Sequence, residues 1–346
     1  MPVNKDAEKR TSALTIDAIR EKIVPSFLHE HVEDVRVLDG GHINQSFCVI
    51  TKEKQYVLQC LCSSRYTAEQ IKALEQDYLL YRNACEAAAE TGVFLECPQW
   101  IRDKDGSFFR TDETGDHWRM YGFIPGDMKT VPMSENELVA CGEGLARLHS
   151  VLLLIEGIPQ AVYSHMHDLV YYYEEYCRQD RNEKMRVPEL DQIIEAKIDG
   201  FLKLSYPKED VVHGDAKLGN MIFSENNSQG RSRIKAFIDL DTLMVGSRLE
   251  DIADLIRSCC KNREEDEARV TQAILKGYQA AAKELSGDIM LTKEETELMP
   301  DIVDKICFEL GLRYYTDHLS GSNYFAEQQP GQNLQKAKKW LAGCKI

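Results

Sequence analysis

Residues 213–220 read HGDAKLGN, and residues 237–242 read FIDLDT. Together they set three oxygen-bearing side chains at a spacing that suits one reaction. Asp215 is an unhindered carboxylate, able to accept the proton of a hydroxyl and to orient its oxygen. Asn220, five residues on, offers a neutral amide oxygen, and Asp239 a second carboxylate. Both are hard ligands of the kind that holds Mg2+ alongside waters and phosphate oxygens. Lys217, two residues past the base, supplies a cation for charge developing on a transferring group. The chemistry this set supports is in-line phosphoryl transfer from magnesium-ATP to an acceptor hydroxyl. Gly214 and Gly219 break any regular run and give the loop backbone freedom. An isolated His-Gly-Asp is only a turn; the conjunction with Asn220, a following hairpin and Ile-Asp-Leu-Asp carries the reading.

Such a loop needs rigid elements on both sides. Leu14, Ile16, Ile19, Ile23 and Phe27 recur at helical spacing within the first 35 residues. VRVLDG, FCVI and YVLQC then read as a strand meander, followed by a helix from about Ala68 to Ala88 and a hairpin joining FFR to WRMYGFI. After Pro125–Gly126 the texture becomes helical. Ser134 and Glu137 form a capping box, opening a helix that carries Leu138, Cys141, Leu145 and Leu148. Further helices are expected over 188–204, 249–260, 265–286, 293–318 and 332–342. NMIF and IKAFIDL form a small strand pair among them, directly after HGDAKLGN. The organisation expected is a β-rich lobe over 1–124 and a mainly helical lobe over 125–346.

The first lobe suits a nucleotide less cleanly. Gly40 and Gly41 sit in a strand–turn–strand setting whose backbone N–H groups would cover phosphates. YVLQC places Gln59 where a phosphate-contacting Lys is expected, and an amide cannot offset phosphate charge. Asp77 or Glu75, on the following helix, is its candidate partner. RMYGFIPG, with Tyr121 and Phe123, would form the hinge whose backbone meets adenine. No G-x-x-x-x-G-K-[ST] occurs, so a P-loop is excluded.

The chain has 346 residues and a formal net charge of −15, which argues against a nucleic-acid partner. The longest apolar run, VLLLI at 151–155, is too short to cross a membrane, and the polar start MPVNKDAEKR is not a signal peptide. Eleven scattered cysteines without a zinc or redox spacing read as free thiols of a cytoplasmic protein. His165 and His167, in SHMHD, have a poor spacing for metal and read as loop packing. VYYYEEY at 170–176 reads as a helix with a core-facing stripe.

The segments GHINQSF, YVLQ, RMYGFI, HGDAKLGNMIF, IDLDTLMVGSRLEDIADLIR and ELGLRYYTDHLSGSNYFAEQQPGQNL resemble the aminoglycoside phosphotransferase and choline kinase superfamily. They run from residue 40 to about 335, nearly the whole chain. Within the superfamily the likeness is closest to the N-acetylhexosamine 1-kinases. The resemblance implies an α+β, protein-kinase-like bilobal fold with a small β-rich N-lobe and a larger helical C-lobe. It implies Asp215 as base, Asn220 and Asp239 as magnesium ligands, and a sugar gripped by His42, Arg313 and Tyr324. It implies that Asp251, in RLEDIAD, braces the catalytic loop from the interior. Gln59 in place of Lys is a trait of that branch, whereas HGDAK departs from its usual stretch and bears on the substrate.

The activity expected is phosphorylation of the anomeric hydroxyl of GlcNAc or GalNAc by a monomeric enzyme. A kinase of the same fold acting on an aminoglycoside, choline or another small alcohol or amine is the competing expectation. Arg313 weighs against a polycationic acceptor. A binding protein that has lost catalysis is the third, prompted by Gln59 and opposed by the intact Asp215, Asn220 and Asp239.

Overall fold

The helical spacing near the start of the chain folds as expected, although not as one regular helix. The computed structural model describes residues 14–38, 44–131, 133–179, 183–207, 209–225, 232–261 and 263–344, apart from Asn323, Ala326 and Gln328. Helix α1 (Ile16–Ala18) starts behind Thr15, whose hydroxyl accepts the Ala18 N–H. It widens to π geometry over Ile19–Ile23 and tightens to a 3-10 turn over Val24–Ser26. Pro25 has no N–H to continue the helical ladder, and the turn changes there.

Strands β1 (Val32–Leu38), β2 (Gln45–Thr51) and β3 (Gln55–Leu61) follow as an antiparallel meander, and helix α2 (Ala68–Glu90) follows them. Strands β4 (Trp100–Ile101), β5 (Arg110–Thr111) and β6 (His117–Gly122) complete a six-stranded sheet ordered β1-β2-β3-β6-β4, with β5 also on β6. Ile19, Ile23, Val24 and Phe27 pack with Phe47, Val49, Leu58, Trp118 and Met120 into one apolar core. The chain falls into two compact units. Residues up to Gln76 and Pro98–Pro125 make the first, and Asp77–Cys97 with the chain from Gly126 make the second. The division crosses α2, whose Tyr81, Ala84, Cys85 and Ala88 are buried in the second unit's core.

The second unit opens with α3 (Glu135–Leu152), held by the expected Ser134–Glu137 capping box. Helices α4 (Leu169–Cys177) and α5 (Pro188–Lys203) lead to the short strands β7 (Asp210–Val212), β8 (Met221–Phe223), β9 (Ile234–Phe237) and β10 (Met244–Gly246). Strand β7 pairs with β10, and β8 with β9. Helices α6 (Arg248–Cys259), α7 (Arg263–Leu285), α8 (Lys293–Ser320) and α9 (Gln332–Ala342) close the chain. Helix α8 has a second capping box, Thr292 with Glu295, and stops at Gly321 with φ 99°.

Leu138, Cys141, Leu145 and Leu148 are fully buried, as their spacing predicts. Helices α3 and α7 meet backbone to backbone. A Cβ on Gly142 would lie 2.0 Å from the Ile274 carbonyl oxygen, and one on Gly277 2.1 Å from that of Val139.

Candidate active site

The loop after β7 is fixed from the interior by one carboxylate. Asp251, in the first turn of α6, accepts the His213 N–H through Oδ2 at 2.8 Å and the Gly214 N–H through Oδ1 at 2.9 Å. Its Oδ2 also faces His149 Nε2 at 3.2 Å, and His149 Nδ1 meets the Tyr278 hydroxyl at 2.8 Å. The bracing role expected of Asp251 is therefore present in the geometry. His213 is fully buried and donates from Nε2 to the Ile238 carbonyl at 3.0 Å, tying the loop to the segment that carries Asp239.

Of the two loop glycines, only Gly214 needs to be one. Its φ is +79°, and a Cβ there would stand 2.5 Å from the Thr242 carbonyl oxygen. Gly219 lies in a 3-10 turn, Leu218–Asn220, where a Cβ would meet nothing closer than 3.9 Å.

Asp215, Lys217 and Asn220 come together on this frame. Lys217 Nζ donates to Asp215 Oδ2 at 2.5 Å, and Asn220 Nδ2 donates to the same oxygen at 3.1 Å and to the Asp215 carbonyl at 2.8 Å. Among the described residues Asp215 Oδ1 accepts no hydrogen bond, so one carboxylate oxygen is held and the other is open. Burial works against the charge on Lys217, but Asp215, with Asp239 and Asp254, more than offsets it and raises the ammonium pKa.

The Asn220 carbonyl accepts the Ile238 N–H at 3.0 Å, which brings Asn220 and Asp239 side by side in the chain path. Asp239 has φ 64° and ψ 47°, a left-handed conformation uncommon outside glycine. Its carboxylate keeps an open face but is otherwise enclosed by protein. That enclosure, then the charges of Asp241 and Asp215, pushes its pKa up to about 6. Among the described residues neither its oxygens nor Asn220 Oδ1 accept a hydrogen bond. Unclaimed hard oxygens beside clustered carboxylates fit a divalent cation such as Mg2+.

Arg313, on α8, stacks between Tyr172 of α4, 4.8 Å from its ring centre, and Phe325 at 5.6 Å. Burial opposes its charge, but Tyr172, Tyr324 and Glu309 raise its pKa, and Tyr324 lies in side-chain contact with it. Two of the three residues expected to grip a sugar, Arg313 and Tyr324, are thus neighbours. Tyr172 packs against the core, as the stripe expected on α4 implies, and its ring also carries Arg313. Glu309 Oε1 lies 4.0 Å from Arg313 Nη1 and 3.6 Å from His167 Nδ1. His167 in turn donates from Nε2 to the Gly214 carbonyl at 3.0 Å. The loop-packing expectation for His167 does not include this bridge from α8 to the 213–220 loop, because the sequence separates the partners by 47 residues and more.

In the first unit, Gln59 is paired across the sheet with Arg119 of β6. Arg119 donates from Nε and Nη2 to Gln59 Oε1 at 2.9 and 2.7 Å, and Gln59 Nε2 donates to Ser46 Oγ at 3.1 Å. Arg119 is buried and lies over Trp100, 4.8 Å from the ring centre. A guanidinium from the neighbouring strand thus stands beside the amide that occupies the expected Lys position, a pairing no local pattern signals. Tyr121 lies half-buried on β6, and Phe123 just beyond it is exposed, its N–H donated to the Gln55 carbonyl at 3.0 Å. Asp77 belongs to the second unit and accepts the Gln160 N–H at 2.8 Å. Burial, with help from Asp241, pushes its pKa up to about 6. Gly40, Gly41 and His42 lie outside the described residues.

Residues 34–285 match the model of the phosphotransferase enzyme family. The chain belongs to this family. Solved structures similar to it include an amicoumacin kinase in complex with AMP-PNP, Ca2+ and Ami, at 15 % identity and a TM-score of 0.62 over 95 % of this chain and 94 % of that one. A microcompartment-associated aminopropanol kinase matches at 16 % identity, TM-score 0.61, over 95 % of each chain. A spectinomycin phosphotransferase in complex with ADP and spectinomycin matches at 14 %, TM-score 0.57, over 96 % of each. At these identities the likeness carries the fold: the family member described here has a kinase-like fold with a small antiparallel sheet and a large helical part. None of its described helices is long and apolar enough to cross a membrane.

Proposed function

We propose that this family member is a magnesium-ATP-dependent small-molecule kinase, and that its acceptor is an N-acetylhexosamine phosphorylated at the anomeric hydroxyl. The observation that carries the kinase reading is the state of Asp215: Oδ2 is held by Lys217 and Asn220, and Oδ1 is open. In this reading Oδ1 accepts the proton of the acceptor hydroxyl as its oxygen attacks the γ-phosphorus in line. The bond from that phosphorus to the bridging oxygen of ADP breaks as the new ester forms. Asn220 Oδ1 and the Asp239 carboxylate would hold magnesium, which neutralises phosphate charge when bound. Lys217 keeps the base oriented and adds a cation beside the transferring group. The solved relatives that hold AMP-PNP or ADP support the nucleotide assignment.

The sugar assignment rests on Arg313 and Tyr324, which offer a rigid donor fork and a phenol to hydroxyls and an acetamido carbonyl. The test is phosphorus NMR of the purified protein with Mg-ATP and, separately, GlcNAc, GalNAc, glucose, an amino alcohol, choline and kanamycin. An anomeric phosphate with an N-acetylhexosamine, abolished in Asp215→Asn, is the expected result. Turnover surviving in Asp215→Asn would overturn the base assignment. Product only on an amine or antibiotic would overturn the sugar assignment.

A further inference from the structure

On the helical unit, a cavity of about 370 Å³ opens beside the catalytic loop, at the small end of small-molecule sites. Four parts of the chain wall it: Lys129–Val131, Lys217–Gly219, the end of α6, and Lys339 with Trp340 of α9. Four lining residues are cationic, namely Lys129, Lys217, Arg257 and Lys339, and among the described residues no carboxylate lines it.

Three of those cations are held from outside the cavity. Lys129 is paired with Glu137 at 3.4 Å, Arg257 with Asp254 at 2.8 Å, and Lys217 with Asp215 at 2.5 Å. Lys339 has no ion pair among the described residues, and its ammonium lies 4.9 Å from the Trp340 ring centre. The Arg257 guanidinium approaches the same ring to 5.3 Å. Anchored cations in a concave wall raise the local positive potential, against a net charge of −15 for the whole chain. The half-buried indole adds an apolar surface on which the body of a small ligand can rest.

We propose that this cavity is an inhibitory site for a phosphate monoester of sugar size. Its phosphoryl oxygens meet Arg257, Lys339 and Lys129, and its carbon skeleton lies on Trp340. Lys217 links the site to the reaction, since its one ammonium serves both Asp215 and the cavity wall. A dianion in the cavity draws Lys217 toward itself and loosens its hold on Asp215 Oδ2, which slows transfer. The kinase reading enters only in this last step; if it holds, the ligand belongs to the chemical class the enzyme makes, and the site is a product brake. Binding itself is independent of that reading.

The first experiment titrates inorganic phosphate into the full chain at constant ionic strength, with potassium chloride as the control, and reads tryptophan fluorescence. Trp340 is the cavity's only tryptophan, so Trp340→Phe should remove the phosphate-dependent signal. Lys339→Glu, at an exposed position, should weaken the apparent phosphate affinity at least tenfold and leave thermal stability and phosphate-free turnover within about twofold. Chloride acting as well as phosphate, or an unchanged affinity in Lys339→Glu, would mean an adventitious ion only and would overturn the site. The second arm measures turnover against added sugar 1-phosphate at saturating substrates. Inhibition relieved by Lys339→Glu supports the brake. Inhibition of equal strength in both proteins places the effect at the transfer site and overturns it. Absence of turnover with every acceptor would tell against the kinase reading and leave the fluorescence result standing.

Discussion

His167 donates from Nε2 to the Gly214 carbonyl at 3.0 Å while its Nδ1 faces Glu309 at 3.6 Å. Both ring nitrogens therefore face acceptors, an arrangement that calls for the doubly protonated imidazolium. Burial opposes that charge, but contact with Glu309, and the further charges of Glu250 and Asp254, hold the pKa up at about 9. A pKa raised on folding stabilises the native state fully below the unfolded value near 6.5 and loses that contribution as pH climbs through about 9. Unfolding free energy should thus fall by roughly 2–4 kcal/mol between those limits from this group. In His167→Gln the slope over that window should flatten, as read by urea unfolding at several pH values. Parallel profiles for the two proteins would show that His167 carries no linked proton.

The two loop glycines should behave differently. Gly214→Ala forces a side chain into a left-handed backbone against the Thr242 carbonyl, with a cost of about 1–3 kcal/mol for the strain alone and loss of activity. Gly219→Ala meets open space and should be neutral or up to about 1 kcal/mol more stable. Thermal unfolding of both variants checks this, and equal losses would contradict the assignment of conformational need to Gly214.

Removing the brace should be costly. Asp251→Ala leaves the His213 and Gly214 N–H groups and His149 buried without their acceptor, and roughly 3–5 kcal/mol of destabilisation is expected. A denaturant midpoint shift worth less than about 1 kcal/mol would mean that the loop holds its shape without α6.

Gln59→Lys restores the cation expected from protein-kinase logic, yet it should damage this protein. The new ammonium would face the buried Arg119 guanidinium, which now donates twice to the Gln59 oxygen. A stability loss of about 1–3 kcal/mol, with no gain in turnover, is expected. Higher turnover at unchanged stability would show that the site has room for two cations.

Local signals brought much of this structure into view. The Ser134–Glu137 box and the β-branched runs of β1 to β3 each act over a few residues, and each element forms where the sequence places it. Asp215, Lys217 and Asn220 share one loop, so their convergence is a property of six residues. What escaped depends on partners far along the chain or on very short pairing. Arg119 reaches Gln59 across 60 residues, and His167 reaches Glu309 across a helix boundary no pattern announces. Strands β4, β7 and β10 have two or three residues each, too few for alternation to register. The gripping role expected of Arg313 came from likeness; its stacking on Tyr172 is visible only once α4 and α8 are packed.

The seam where Gly142 faces Ile274 and Gly277 faces Val139 has a consequence for how this chain can change over time. Most core contacts tolerate a larger residue on one side if a smaller one appears opposite, because side chains share the space between them. Here each glycine abuts a main-chain carbonyl, which no substitution can shrink. The two positions are therefore closed to gradual exchange. A descendant that acquires even one methyl group at either must move α3 and α7 apart along their length, and with α3 goes His149, the residue behind Asp251.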